Sequence, residues 1–162
     1  MQEKACCFTG HRPSALPFGS DESHIDCLAL KGKLRDAIEL SIQEGYTLFY
    51  SGMAEGFDTF AAEAVLEFKE RYPDIRLCAV LPCADQAKSW SKQAVRRYHA
   101  ILEAADEAVT LSPQYTPFCM QQRNIYMVER STKCIAYCTK LRGGTYNTLK
   151  YALGKNIMIV TL

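Results

Sequence analysis

The chain has 162 residues, 48% of them hydrophobic and 23% charged, which suits one globular domain spanning 1–162 and leaves little room for a second core. Nineteen Lys and Arg against eighteen Asp and Glu give a formal charge of +1. That balance excludes the strongly basic footprint of a protein that lives on nucleic-acid backbones and leaves only a localised basic face open. Eight cysteines are the unusual count. A disulfide framework needs an exported chain, and Met1-Gln2-Glu3-Lys4 leads only into the brief apolar run Ala5 to Phe8, so no signal peptide is expected. No stretch reaches the roughly 18 apolar residues of a membrane span, and a cytoplasmic protein with buried, reduced thiols is the expectation.

Taken in chain order, short apolar runs alternate with segments of helical period. Lys4 to Thr9 reads as a first strand, and Leu30, Leu34, Ala37, Ile38 and Ser41 mark a first helical face. Tyr46 to Tyr50 is the second strand, followed by a helix with Phe60, Ala61, Ala64, Val65, Phe68 and Tyr72 on one face. Ile75 to Leu81 gives the third strand; Trp90, Ala94, Tyr98, Ile101 and Ala105 give the third helix. Glu107 to Leu111 is the fourth strand, with Thr116-Pro117 as N-cap and first turn of a fourth helix. Lys133 to Cys138 is the fifth strand, Asn147 to Leu153 a helix stopped by Gly154, and Asn156 to Val160 a closing strand. The runs are nearly continuously apolar, as parallel strands covered on both faces are. This alternation predicts an α/β fold, a doubly wound Rossmann-like parallel sheet of about six strands and five helices.

In such a sheet ligands bind beyond the carboxyl ends of the strands. The segments at those ends are polar and glycine-rich: Thr9-Gly10-His11-Arg12-Pro13, Ser51-Gly52-Met53-Ala54-Glu55-Gly56-Phe57-Asp58, and Thr139-Lys140-Leu141-Arg142-Gly143-Gly144-Thr145. Glycine lets backbone N–H groups approach a phosphate, and the following helix N-terminus adds favourable charge. Arg12 offers a bidentate guanidinium to phosphate, and His11 a donor to an oxygen or a base; the competing role for Arg12 is to pair with Glu55 or Asp58 and lock two loops together. Asp58 is placed either to cap the second helix or to accept from a ribose hydroxyl, a role Glu55 can share. Arg123 and Asn124, early in the fourth helix, suit a phosphate or base contact or a solvated face. Lys88, Lys92, Arg96 and Arg97 form a basic stripe of the kind that usually faces solvent.

No catalytic constellation stands out by spacing. Zinc-ligand spacing, the Walker P-loop, Gly-x-Ser-x-Gly and Gly-x-Gly-x-x-Gly are all missing, so neither metal nor cofactor is expected. Among the cysteines, Cys6, Cys7, Cys78, Cys134 and Cys138 fall in strands, while Cys83 and Cys119 fall near the crevice as candidate reactive thiols. The apolar face holding Trp90 and Tyr98 is a candidate for homo-oligomer contact, though core packing explains it equally well.

The three loop motifs, in this order and spacing, resemble the YpsA-like branch of the SLOG superfamily, which joins the Rossmann domain of DNA-processing protein A (Smf) to the lonely-guy phosphoribohydrolases. The resemblance covers nearly the whole chain. It implies a central first strand and a pocket for a nucleotide or nucleotide-derived ligand. Gly10 and Arg12 would then contact phosphate, Gly52, Glu55, Gly56 and Asp58 would line the ribose and phosphate region, and Gly143, Gly144 and Thr145 would form a second phosphate loop. Lonely-guy enzymes carry Pro-Gly-Gly-x-Gly-Thr-x-x-Glu, whereas this chain reads Arg142-Gly143-Gly144-Thr145-Tyr146-Asn147-Thr148-Leu149-Lys150-Tyr151. The loop is retained and the glutamate is not. The expected function is therefore nucleotide binding as a sensor or regulator, with Thr9, Ser51, Arg123 and Asn124 completing the ligand set. An N-glycosidic or phosphoribosyl hydrolase using Glu55 or Asp58 is the alternative, and single-strand DNA binding is disfavoured by the charge.

Overall fold

The computed structural model describes residues 2–162. Six strands, β1 (Lys4–Gly10), β2 (Tyr46–Ser51), β3 (Arg76–Leu81), β4 (Glu107–Thr110), β5 (Lys133–Tyr137) and β6 (Met158–Thr161), alternate with five helices, α1 (Ile25–Gln43), α2 (Phe57–Phe68), α3 (Lys92–Ala104), α4 (Cys119–Glu129) and α5 (Gly144–Gly154). All strand pairs are parallel, in the order β4-β3-β2-β1-β5-β6. The chain therefore winds outward from β1 to β4, returns across the sheet, and resumes from the other side of β1. Cys7 sits between Tyr50 of β2 and Cys134 of β5, so β1 is central and the β1/β5 boundary is where the winding reverses.

The period-two alternation of the strands sorts their side chains into two cores. Cys6 and Phe8 join Phe49, Leu77 and Ile135 under α1, α2 and α3. Ala5 and Cys7 join Tyr50, Val80 and Cys134 under α4 and α5. Small thiols at Cys6, Cys7, Cys78 and Cys134 let the helices approach the sheet closely, and all eight cysteines are free.

Several boundaries move from the sequence expectation. β4 and β6, each four residues, are edge strands and largely exposed, because only one neighbour covers them. Trp90 precedes α3, which starts at Lys92 behind Ser91, whose hydroxyl accepts from the Ala94 amide at 3.1 Å. The Thr116-Pro117 turn also lies ahead of its helix; α4 begins at Cys119. α5 starts earlier and runs through Gly154, and the left-handed break comes at Asn156, with φ 57°, so β6 begins only at Met158. Cys138 lies just past β5 and is partly exposed. Among the described residues no helix is long and apolar enough to cross a membrane.

Candidate functional site

The reversal between β1 and β5 opens a cleft of about 490 Å³. Its floor is the end of β1, Phe8 to Arg12; its walls are Ala54 and Asp58 at the start of α2, Met120, Arg123 and Asn124 on α4, and Lys140, Arg142, Gly143, Gly144 and Thr145 leading into α5. Reversal points of open α/β sheets are where loops diverge and leave such a crevice.

Two guanidinium groups define its chemistry. Arg123 is buried, with Nε donating to Asn124 Oδ1 at 2.7 Å and Nη1 donating to the Gly52 carbonyl. Its Nη2 meets only the Met120 sulfur, at 4.0 Å, and Arg12 Nη2 approaches that same sulfur at 3.4 Å. A thioether is a weak acceptor. Among the described residues neither arginine has an ion-pair partner within 4.0 Å, so the locking of Arg12 onto Glu55 or Asp58 does not occur. Asp58 still acts through space. Burial raises its pKa and lowers that of Arg123, and each charge partly offsets the other's cost.

Asp58 is not the N-cap of α2. That position is Gly56, and the Asp58 carboxylate accepts from the Ala54 amide at 3.3 Å while Thr59 Oγ1 donates to the Ala54 carbonyl at 2.9 Å. Both fix the loop before the helix. Ser51 is fully buried and donates to the Asp58 carbonyl at 2.9 Å, so its role is to hold that loop from beneath. His11 ties β1 to β5: Nε2 accepts from the Thr139 amide at 2.9 Å, which leaves the ring proton on Nδ1, and burial with nearby Lys140 lowers its pKa and keeps it neutral. Thr145 Oγ1 donates to the Gly10 carbonyl at 3.0 Å and joins α5 to β1.

The glycines divide by cause. A Cβ on Gly10 would collide with the Phe57 ring, and one on Gly52 with the Arg123 guanidinium, so both serve internal packing. Gly56, at φ 85°, would place a Cβ 2.7 Å from the His11 carbonyl. Gly143, at φ 95°, and Gly144 meet nothing within 4 Å, because they face open cleft at the N-terminus of α5. That is the geometry in which backbone amides take an anion.

The sequence expectation placed Glu55 and Gly56 with the phosphate residues. The structure puts them in a different, smaller cleft, across the ridge where Gly56 touches His11. Cys83 and Cys119 are buried, and burial, reinforced by Asp85, pushes the Cys83 thiol up to about 12, which removes it as a ready nucleophile. Arg97 leaves the expected basic stripe to bind Glu22 and Glu63, while Lys88, Lys92 and Arg96 stay exposed. Tyr98 is buried in the core, and Trp90 packs against it partly buried at the rim of the smaller cleft. Met120 was not singled out from the sequence; its i, i+3 spacing from Arg123 is the signal that puts both on one side of α4.

A parallel sheet that reverses its winding at β1, with an arginine-lined cleft and a glycine-opened helix N-terminus at that point, defines a Rossmann-like α/β domain. The chain belongs to the YspA SLOG family, whose sequence model matches residues 6–156. It is 30% identical over 130 residues to the UPF0398 protein BH1768 of Halalkalibacterium halodurans, covering 79% of this chain and 68% of that protein. It is 32% identical over 138 residues to the SPbeta prophage-derived protein YoqJ of Bacillus subtilis, covering 77% and 81%. Among solved structures the fold is similar to DNA processing protein A of Streptococcus pneumoniae, with TM-score 0.63 at 17% identity, 98% of this chain and 50% of that one. It is also similar to DNA processing protein A of Helicobacter pylori, described for its single-stranded DNA binding mode, with TM-score 0.65 at 15% identity, 98% of this chain and 64% of that one. The chain thus spans half to about two-thirds of those neighbours.

Proposed function

We propose that this protein binds a nucleotide or nucleotide-derived ligand by its phosphate in the β1/β5 cleft and acts as a sensor or regulator. The observation that carries the reading is the convergence of Arg12 and Arg123 on one thioether, two guanidiniums directed into a cleft with no carboxylate in contact. A phosphate oxygen there replaces a weak sulfur acceptor with charge-assisted bonds. The α5 N-terminus faces the same space.

Calorimetric titration with inorganic pyrophosphate and nucleoside monophosphates tests it. Arg12→Ala is expected to weaken binding by about tenfold or more, the scale of one lost charge-assisted contact. No heat and no thermal stabilisation from any phosphorylated ligand overturns the reading. One observation favours turnover as a second reading: Asp58 lines this cleft with its pKa raised by burial, as a general acid requires. Release of free base from a nucleoside monophosphate, abolished by Asp58→Asn, is its expected signature; binding without release leaves the sensor.

A further inference from the structure

The smaller cleft has a volume of about 220 Å³. That is below the roughly 300–1,000 Å³ of pockets enclosing drug-sized ligands, and suits one ring system. Phe60 of α2, Trp90 and Tyr98 form its apolar walls, with Trp90 edge-on to Tyr98 at 5.3 Å between centroids. The charged groups beside them are already committed. Arg97 donates to Glu63 at 2.6 and 2.9 Å and to Glu22 at 2.5 and 2.9 Å, and Lys31 donates to Glu22 at 2.8 Å.

Glu55 is the exception. It lines the cleft half-buried, with no hydrogen bond or ion pair among the described residues. The backbone is bent to place it there: Met53 at φ 61° and Gly56 at φ 85° flank it, and left-handed backbone at a buried methionine is strained. The bend carries Glu55 to the side of the ridge away from Arg12 and Arg123.

We infer that this cleft is a nucleobase subsite, where the partly exposed Trp90 packs on a planar heterocycle and the Glu55 carboxylate accepts its N–H donors. A carboxylate only accepts, so the favoured edge carries adjacent donors, as guanine's N1–H and N2–H do; adenine turns a ring acceptor toward it. The subsite takes either a free nucleoside or the base end of the nucleotide held across the ridge, and only the second source rests on the reading under Proposed function.

Trp90 is the single tryptophan, so its emission reports this cleft alone. Guanosine, adenosine, GMP and inorganic phosphate are titrated against the unmodified protein, Glu55→Gln and Arg12→Ala, with fluorescence and calorimetry read together. Guanosine is expected to quench Trp90, with adenosine weaker by about tenfold and Glu55→Gln losing about tenfold in guanosine affinity. Phosphate heats in Glu55→Gln stay as in the parent, which also shows that the variant is folded. GMP binding tighter than guanosine, with the gain lost in Arg12→Ala, supports one ligand spanning the ridge; equal binding supports a free nucleoside. Unchanged Trp90 emission with both guanosine and GMP, or undiminished affinity in Glu55→Gln, overturns the inference. Guanosine binding without phosphate binding leaves the subsite standing and removes the phosphate reading instead.

Discussion

Gly10, Gly56 and Gly144 share a residue type and differ in what surrounds the missing side chain. At Gly10 the space is taken by Phe57, and at Gly56 a positive φ combines with a carbonyl contact at 2.7 Å. Alanine at Gly56 adds the cost of left-handed backbone, about 1–2 kcal/mol, to a clash with backbone that cannot step aside. Gly56→Ala and Gly10→Ala should therefore each lower stability by about 2 kcal/mol or more, measured by urea denaturation. Gly144→Ala is expected to leave stability unchanged or up to about 1 kcal/mol higher, since alanine favours the helix, while weakening phosphorylated ligands in calorimetry. Equal destabilisation at all three positions would count against an open anion site at α5. From the sequence all three are strand-end glycines; only the neighbours separate them.

At the scale of elements, α1, α2, α3 and the segment before α1 are joined by the Glu22, Arg97, Glu63 and Lys31 network rather than by apolar contact alone. Hydrogen bonds from Arg97, then Lys31, hold the Glu22 carboxyl at about 2 against an ordinary 4.5. Since the folded value is the lower one, the unfolded chain binds the extra proton between them. The stabilisation is fully present above pH 4.5 and is lost as pH falls toward 2. Water reaches about a third of the Glu22 side chain, so screening reduces the effect to about 1 kcal/mol. Denaturant midpoints taken across that window should fall with acid, and Glu22→Gln should flatten part of the fall; an unchanged slope would show that the network contributes nothing. The i, i+4 basic pattern of α3 could not reveal this, because Glu22 comes from a loop some 75 residues away in sequence.

For the whole molecule, a formal charge of +1 and two clefts built from a few polar groups suit a small ligand better than a polyanion. Oligothymidine binding, if measured, should show a slope of log affinity against log salt no steeper than about −2, since few phosphates can be neutralised at once. A slope near −5 would instead favour single-strand DNA binding. The sequence by itself determined the α/β class and the grouping of three loops at one sheet edge, because hydrophobic period and strand-end glycines are local properties of the chain; the central first strand came from the family resemblance. It also grouped Arg12 with Gly143 to Thr145, which line one cleft because both follow the strands that flank the reversal. The tertiary structure decided the rest. Whether Arg12 pairs, that Met120 stands between two arginines, that Arg97 turns inward, and that Glu55 falls across the ridge all depend on side chains from elements distant in sequence. Such contacts are set by packing and by two backbone bends, and no spacing rule encodes them.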